Sequence, residues 1–214
     1  MYSTKKPDFD KLYELAERQQ GFFTARQARD LGYSRQLHSY YCSTGEWIRK
    51  DRGIFRLKYF PVFPPFPESF YVLSLWALNR EGQPEGVFGY GTALYLHGLS
   101  TYVPPMIDMI VPKHFKRNSE PAGRTWFYKR TMDSSHTQIL KGLLVTTPFW
   151  TIIDLLDTRC IDYDYILDGL KGALDRLIIM RKQIKEAKLE QGQRDRLVAA
   201  LEQIRCEWID EIRK

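Results

Sequence analysis

Apolar residues recur with helical spacing at the start of the chain. Phe9, Leu12, Leu15 and Ala16 fall on one face, and Asp8 before them is a residue type that accepts hydrogen bonds from first-turn amides, so the pattern predicts a helix over 8–20, ended by Gly21. Thr24-Ala25-Arg26-Gln27 then has the spacing of a capping box, and Leu31-Gly32 closes the helix it opens. Ser34 caps another helix over 35–43, which stops near Gly45; the short connection between the two is the length of a helix-turn-helix corner. Trp47-Ile48-Arg49 and Ile54-Phe55-Arg56-Leu57 flank the polar turn Lys50-Asp51-Arg52-Gly53, which predicts a hairpin. Three helices and a basic hairpin make a winged helix.

Beyond this the pattern changes. Tyr59 to Pro67 carries four prolines among aromatics, which forbids a regular helix and predicts an extended linker over 61–68. Helices follow at 69–79 and 90–97, the latter ended by Gly98. Apolar or β-prone runs at 107–111, 125–129 and 143–146 predict strands, and Thr147-Pro148 opens a helix through Asp157. The tail reads as two charged helices, 162–187 and 193–212, with Gly192 as the break between them. The fold class expected is α+β: a winged helix-turn-helix over 1–60, the linker, and over 69–214 a mixed α/β domain with a helical C-terminal tail.

Charge sharpens this division. The net charge of the 214-residue chain is +6. Residues 1–60 hold 12 lysines and arginines against 7 carboxylates, whereas the remaining residues are almost balanced. An excess confined to one small domain points to a polyanion-binding face there. On 35–43, the stripe Leu37, Tyr40 and Tyr41 has the spacing of a buried face, which leaves Arg35, Gln36, His38, Ser39 and Cys42 outward. Arginine pairs with guanine and glutamine with adenine in a major groove wide enough for a helix. Arg49, Lys50, Arg52 and Arg56 on the hairpin suit phosphates. Together with Thr24 and Ser34 at the two helix starts, Arg35, Gln36, His38, Ser39 and these four cations are the candidate contacts to double-stranded DNA.

The same residues carry a likeness to a known family. Gly21-Phe22-Phe23-Thr24-Ala25-Arg26-Gln27-Ala28, Leu31-Gly32-Tyr33-Ser34-Arg35-Gln36-Leu37, Gly45-Glu46-Trp47-Ile48-Arg49 and Arg52-Gly53-Ile54-Phe55-Arg56-Leu57 together resemble the N-terminal domain of AbiEi-type antitoxins. A looser match runs through Gly91-Thr92-Ala93-Leu94-Tyr95-Leu96-His97-Gly98-Leu99 and on to Thr151-Ile152-Ile153-Asp154-Leu155-Leu156; the tail from Ile161 matches no motif. The resemblance implies a repressor of its own operon that also counteracts a nucleotidyltransferase toxin encoded beside it. A second reading is a free-standing transcription factor whose C-terminal domain senses a ligand or partner.

A third reading, a DNA-acting enzyme, needs a catalytic constellation, and the sequence offers none that is specific. His38, His97, His114 and His136 are scattered, without the spacing of a helical zinc pair. Gly89-Tyr90-Gly91-Thr92 followed by Asp108-Met109-Ile110 has part of a nucleotidyltransferase pattern, but Ile110 stands where a second metal-holding carboxylate is needed. Glu186-Ala187-Lys188 imitates a nuclease motif inside a helical run. Asp154 and Asp157 are three apart on one helix, a spacing that fits a metal pair or an exposed edge equally well. No catalytic residue, metal or cofactor is therefore expected. Cys42, Cys160 and Cys206, odd in number and widely spaced, fit a reducing cytoplasm; no apolar run is long enough to cross a membrane, and residues 1–10 lack a signal core.

Overall fold

In the computed structural model, which describes residues 6–60, 64–117, 119–121 and 123–209, the first elements are α1 (Phe9–Arg18), β1 (Phe22–Thr24), α2 (Ala25–Asp30), α3 (Arg35–Ser43), β2 (Trp47–Asp51) and β3 (Ile54–Leu57). The caps are those the sequence predicts. Asp8 accepts from the Lys11 amide at 3.1 Å. Thr24 Oγ1 accepts from the Gln27 amide at 3.2 Å, while Gln27 Oε1 accepts from the Thr24 amide at 2.7 Å. Ser34 Oγ accepts from the Leu37 amide at 3.3 Å. Gly53, at φ +74, makes the hairpin turn in a region that costs glycine nothing.

β1 is a strand that the sequence reading missed. It pairs antiparallel with β3, giving the order β1-β3-β2, and so ties the hairpin to the helices. Its side chains alternate between faces. Phe23 joins the core of Leu12, Ala16, Ala28, Tyr33, Trp47 and Phe55. Trp47 is the hub of that core, edge-on to Phe23 at 4.7 Å and stacked on Tyr41 at 5.1 Å. Large side chains buried in this way each stabilise by about 1.5–3 kcal/mol. Phe22, on the other face, is also fully buried and stacks at 5.5 Å on Tyr71 of α4 (Glu68–Trp76).

The chain divides into two compact units: 1–86 with 112–125 and 139–144, and 87–111 with 126–138 and 145–214. α4, which the sequence reading groups with the second domain, thus packs on the winged helix. Of the proline-rich stretch expected as a linker over 61–68, Pro61, Val62 and Phe63 lie outside the described residues; Phe60 before them is buried against Tyr13, and Pro67 after them is the N-cap of α4.

The second unit holds β4 (Val87–Phe88), α5 (Tyr90–Leu96), β5 (Ile107–Val111) and α6 (Pro148–Thr158), with most of β6 (Thr125–Lys129) and parts of β7 (Thr137–Leu140) and β8 (Leu143–Thr146). The sheet order is β6-β5-β4-β8-β7, antiparallel at β4/β5 and parallel at β4/β8. The two-residue β4 and the half-polar, four-residue β7 escaped sequence reading because neither has enough residues or periodicity to register. Asp108 lies inside this unit, where Thr92 Oγ1 accepts from the Asp108 amide at 2.8 Å and the Asp108 carboxylate accepts from the Thr92 amide at 3.2 Å and the Tyr128 hydroxyl at 3.4 Å. His97 ends α5, but its Nε2 meets the Thr146 carbonyl at 2.7 Å instead of a carbonyl of its own helix.

Two expectations for the tail need correction. In place of one helix over 162–187 there are α7 (Tyr163–Asp175) and α8 (Arg181–Glu186), because Leu177 takes a left-handed conformation at φ +56 and breaks the run. Gly192 is not a break; it lies in the first turn of α9 (Gln191–Gln203), which Glu190 caps through a reciprocal bond with Gln193. The part of the expected tail helix over 210–212 lies outside the described residues. Asp154 and Asp157 are neither an exposed edge nor a metal pair: Asp154 is buried and ion-paired with Arg130, and Asp157 accepts from Gln193 and Arg196, each at 2.8 Å. Burial pushes the Asp154 carboxyl up to about 6, against the pull of Arg130.

Candidate nucleic-acid interface

α2, α3 and the β2–β3 hairpin enclose a groove of about 620 Å³. It is lined by Arg29 from α2, Arg35, His38, Ser39 and Cys42 from α3, Arg49 and Arg52 from the hairpin, and Phe55 at its base. Four guanidinium groups converge on it, and no carboxylate is among these lining residues. Such a concave surface of one sign attracts a polyanion and holds its phosphates through charge-assisted hydrogen bonds. Arg49 is ordered from below, with its guanidinium carbon 5.7 Å from the ring centre of Phe55, its cross-strand partner. Asp51, acidic in a basic turn, accepts from the Arg52 amide at 2.6 Å and so serves the turn itself.

The candidate residues read from sequence separate into three groups. Arg35, Ser39, Arg49 and Arg52 come together at the groove, and Gln36 is exposed beside it on α3. Thr24 and Ser34 are spent as helix caps. Lys50 and Arg56 are turned to the opposite side. An irregularity in the β2–β3 register between Arg49 and Asp51 leaves Lys50 out of the ladder, and its ammonium lies 2.6 Å from the Glu68 carboxylate of α4. Bulges of this kind re-aim a side chain. Arg56 is 8% exposed; its guanidinium carbon lies 5.7 Å from the Phe22 ring centre, with its Nε 3.8 Å from the same Glu68.

His38 and Tyr40 exchange the roles the periodicity suggests. His38 is buried, 5.5 Å from Trp47 and 5.7 Å from Phe55, while Tyr40 is 56% exposed. The inward face of α3 runs through Leu37, His38 and Tyr41, since three side chains at i, i+1 and i+4 also share one side of a helix. Burial lowers the His38 pKa below its ordinary value, and Arg29 and Arg35 lower it further, so the imidazole is neutral at pH 7. It forms a neutral wall under the basic groove.

Arg29 is the groove residue that sequence reasoning missed. It lies in the last turn of α2, one turn from the helix-turn-helix corner, and that position was its only signal.

A capped helix-turn-helix braced by α1 and followed by a basic hairpin defines the winged-helix class of DNA-binding domains. Within that class, residues 10–58 match the family described as transcriptional regulator, AbiEi antitoxin. The likeness carried by Gly21 to Leu57 is borne out by this match, which supports a DNA-binding antitoxin in general. The matched segment stops before α4. No match is found among curated proteins. Among the described residues, no helix is long and apolar enough to cross a membrane.

Proposed function

We propose that the protein represses its own operon by binding operator DNA through the groove between α3 and the hairpin, and that it counteracts a nucleotidyltransferase toxin encoded beside it. The observation that carries the first half is the convergence of Arg29, Arg35, Arg49 and Arg52 on one concave surface. α3 enters the major groove with Arg35 and Gln36 toward base edges, while Arg29, Arg49 and Arg52 follow the flanking backbone. The second half rests on the family of residues 10–58; we assign antitoxicity to residues 69–214 and place the protein in the cytoplasm.

Two experiments test the two halves. A duplex from upstream of the gene is expected to bind more tightly than a random duplex, and Arg35→Ala is expected to reduce that preference. Equal binding of both duplexes by the wild-type protein overturns repression by base reading. Growth rescue of cells expressing the neighbouring nucleotidyltransferase is expected to survive Arg49→Ala/Arg52→Ala; rescue that disappears with DNA binding, while the protein remains folded, overturns a separate antitoxic unit.

A further inference from the structure

We infer that Glu68 is a specificity-determining residue of the DNA interface, acting by withholding Lys50 from the phosphate backbone. The inference rests on the DNA reading above. It starts from the division of the hairpin's cations. Arg49 and Arg52 line the groove, whereas Lys50, between them in sequence, reaches its 2.6 Å partner on α4. Glu68 is held in place for this. Its Oε2 meets Lys50, its Oε1 lies 3.8 Å from Arg56, and Arg56 is itself fixed by burial and by the ring of Phe22. The helix that carries Glu68 is anchored by the stacking of Tyr71 on Phe22.

The consequence follows from what phosphate contacts do. A lysine on the backbone strengthens binding to every sequence alike, because counterion release is blind to the bases. Discrimination depends on the difference between specific and non-specific affinity, so an extra backbone contact adds affinity without adding selectivity. Glu68 stands where a phosphate would stand for Lys50. It keeps the sequence-blind part of the footprint on the α3 side of the hairpin, where the base-reading residues also lie. The matched family segment, residues 10–58, does not include Glu68, so this counter-charge comes from the part of the chain outside it.

The test measures log affinity against log salt for the full chain, on the upstream duplex and on a random duplex of equal length. Glu68→Gln keeps the side-chain shape and removes the charge. It is expected to tighten binding to the random duplex and to steepen the slope by about 0.9, the value of one added phosphate contact. Lys50→Gln in that background is expected to restore the original slope. Lys50→Gln alone is expected to leave the wild-type slope unchanged. An unchanged slope in Glu68→Gln overturns the inference, and so does a flattened slope in Lys50→Gln alone, which would place Lys50 on the DNA already. If Glu68→Gln does not fold, the single Lys50→Gln variant decides by the same criterion. Failure of the wild-type chain to bind either duplex removes the DNA reading itself, an outcome separate from these.

Discussion

Arg49 lies over the ring of Phe55, the residue paired with it across the hairpin, with 5.7 Å between its guanidinium carbon and the ring centre. This contact gives one groove cation a fixed place before any ligand arrives. An arginine so held loses less freedom on binding than one free in solvent. Arg49→Lys is therefore expected to keep the salt slope of DNA binding but weaken affinity, since a lysine keeps the charge and loses the planar stacking. Arg49→Ala should flatten the slope by about 0.9. Identical affinities for the lysine variant and the wild type would show that the stacking contributes nothing.

Arg35 and Gln36 are exposed at the start of α3, the end that enters a major groove. Replacing either with alanine is expected to cost on the order of 1–3 kcal/mol on the operator and little on random DNA. Titration of both duplexes at one salt concentration checks this. Equal losses on both would mean that the side chain touches phosphate.

Thr24 offers a stability test separate from DNA. Its hydroxyl and amide form both halves of the capping box that starts α2. Thr24→Ala is expected to lower stability by about 1 kcal/mol, and Thr24→Ser to retain most of it. Denaturant unfolding of the two variants distinguishes the lost hydroxyl from a lost methyl group.

Tyr71 joins α4 to the winged helix. It is buried on Phe22, and its hydroxyl donates to the Lys141 carbonyl at 3.3 Å. Tyr71→Ala should cost about 3 kcal/mol or more, as large aromatic-to-alanine changes in cores do. Tyr71→Phe should cost about 1 kcal/mol, the worth of one hydrogen bond. A negligible effect of the alanine variant on thermal unfolding would mean that α4 is not part of the folded N-terminal unit.

Asp108 gives a pH dependence with a definite sign. Burial pushes its carboxyl up to about 6, partly opposed by the bonds from Thr92 and Tyr128. The folded state therefore holds the proton more tightly than the unfolded chain. The stability this contributes is complete below the ordinary carboxylate value of 3.8 and is lost as pH rises through about 6. Asp108→Asn cannot titrate, so its stability relative to wild type should improve between pH 4 and pH 7 by on the order of 2 kcal/mol. Comparing the two proteins cancels the parallel titration of Asp154. A constant difference across that range would mean that the Asp108 carboxyl is not perturbed by folding.

Much of the N-terminal domain was legible in the chain because its signals are local. Thr24, Gln27, Ser34 and Gly53 act within three or four residues of themselves, so their spacing alone determines where α2, α3 and the hairpin turn begin and end. The family likeness was written in that same stretch. The tertiary structure decided what depends on distant neighbours. Arg49 and Lys50 are adjacent in β2 and so face opposite ways by the pleat alone, but that Lys50 meets a carboxylate eighteen positions away, at Glu68, was not legible in the hairpin. His38 could not be told from an outward residue by periodicity, because the pocket that buries it is made by Trp47 and Phe55 of the strands. Arg29 became a groove residue only when α2 was set against α3 and the hairpin. Local hydrogen bonds specify elements and their periodicity specifies which residues share a face; which face meets a core, a groove or a counter-charge is set by neighbours arriving from elsewhere in the chain.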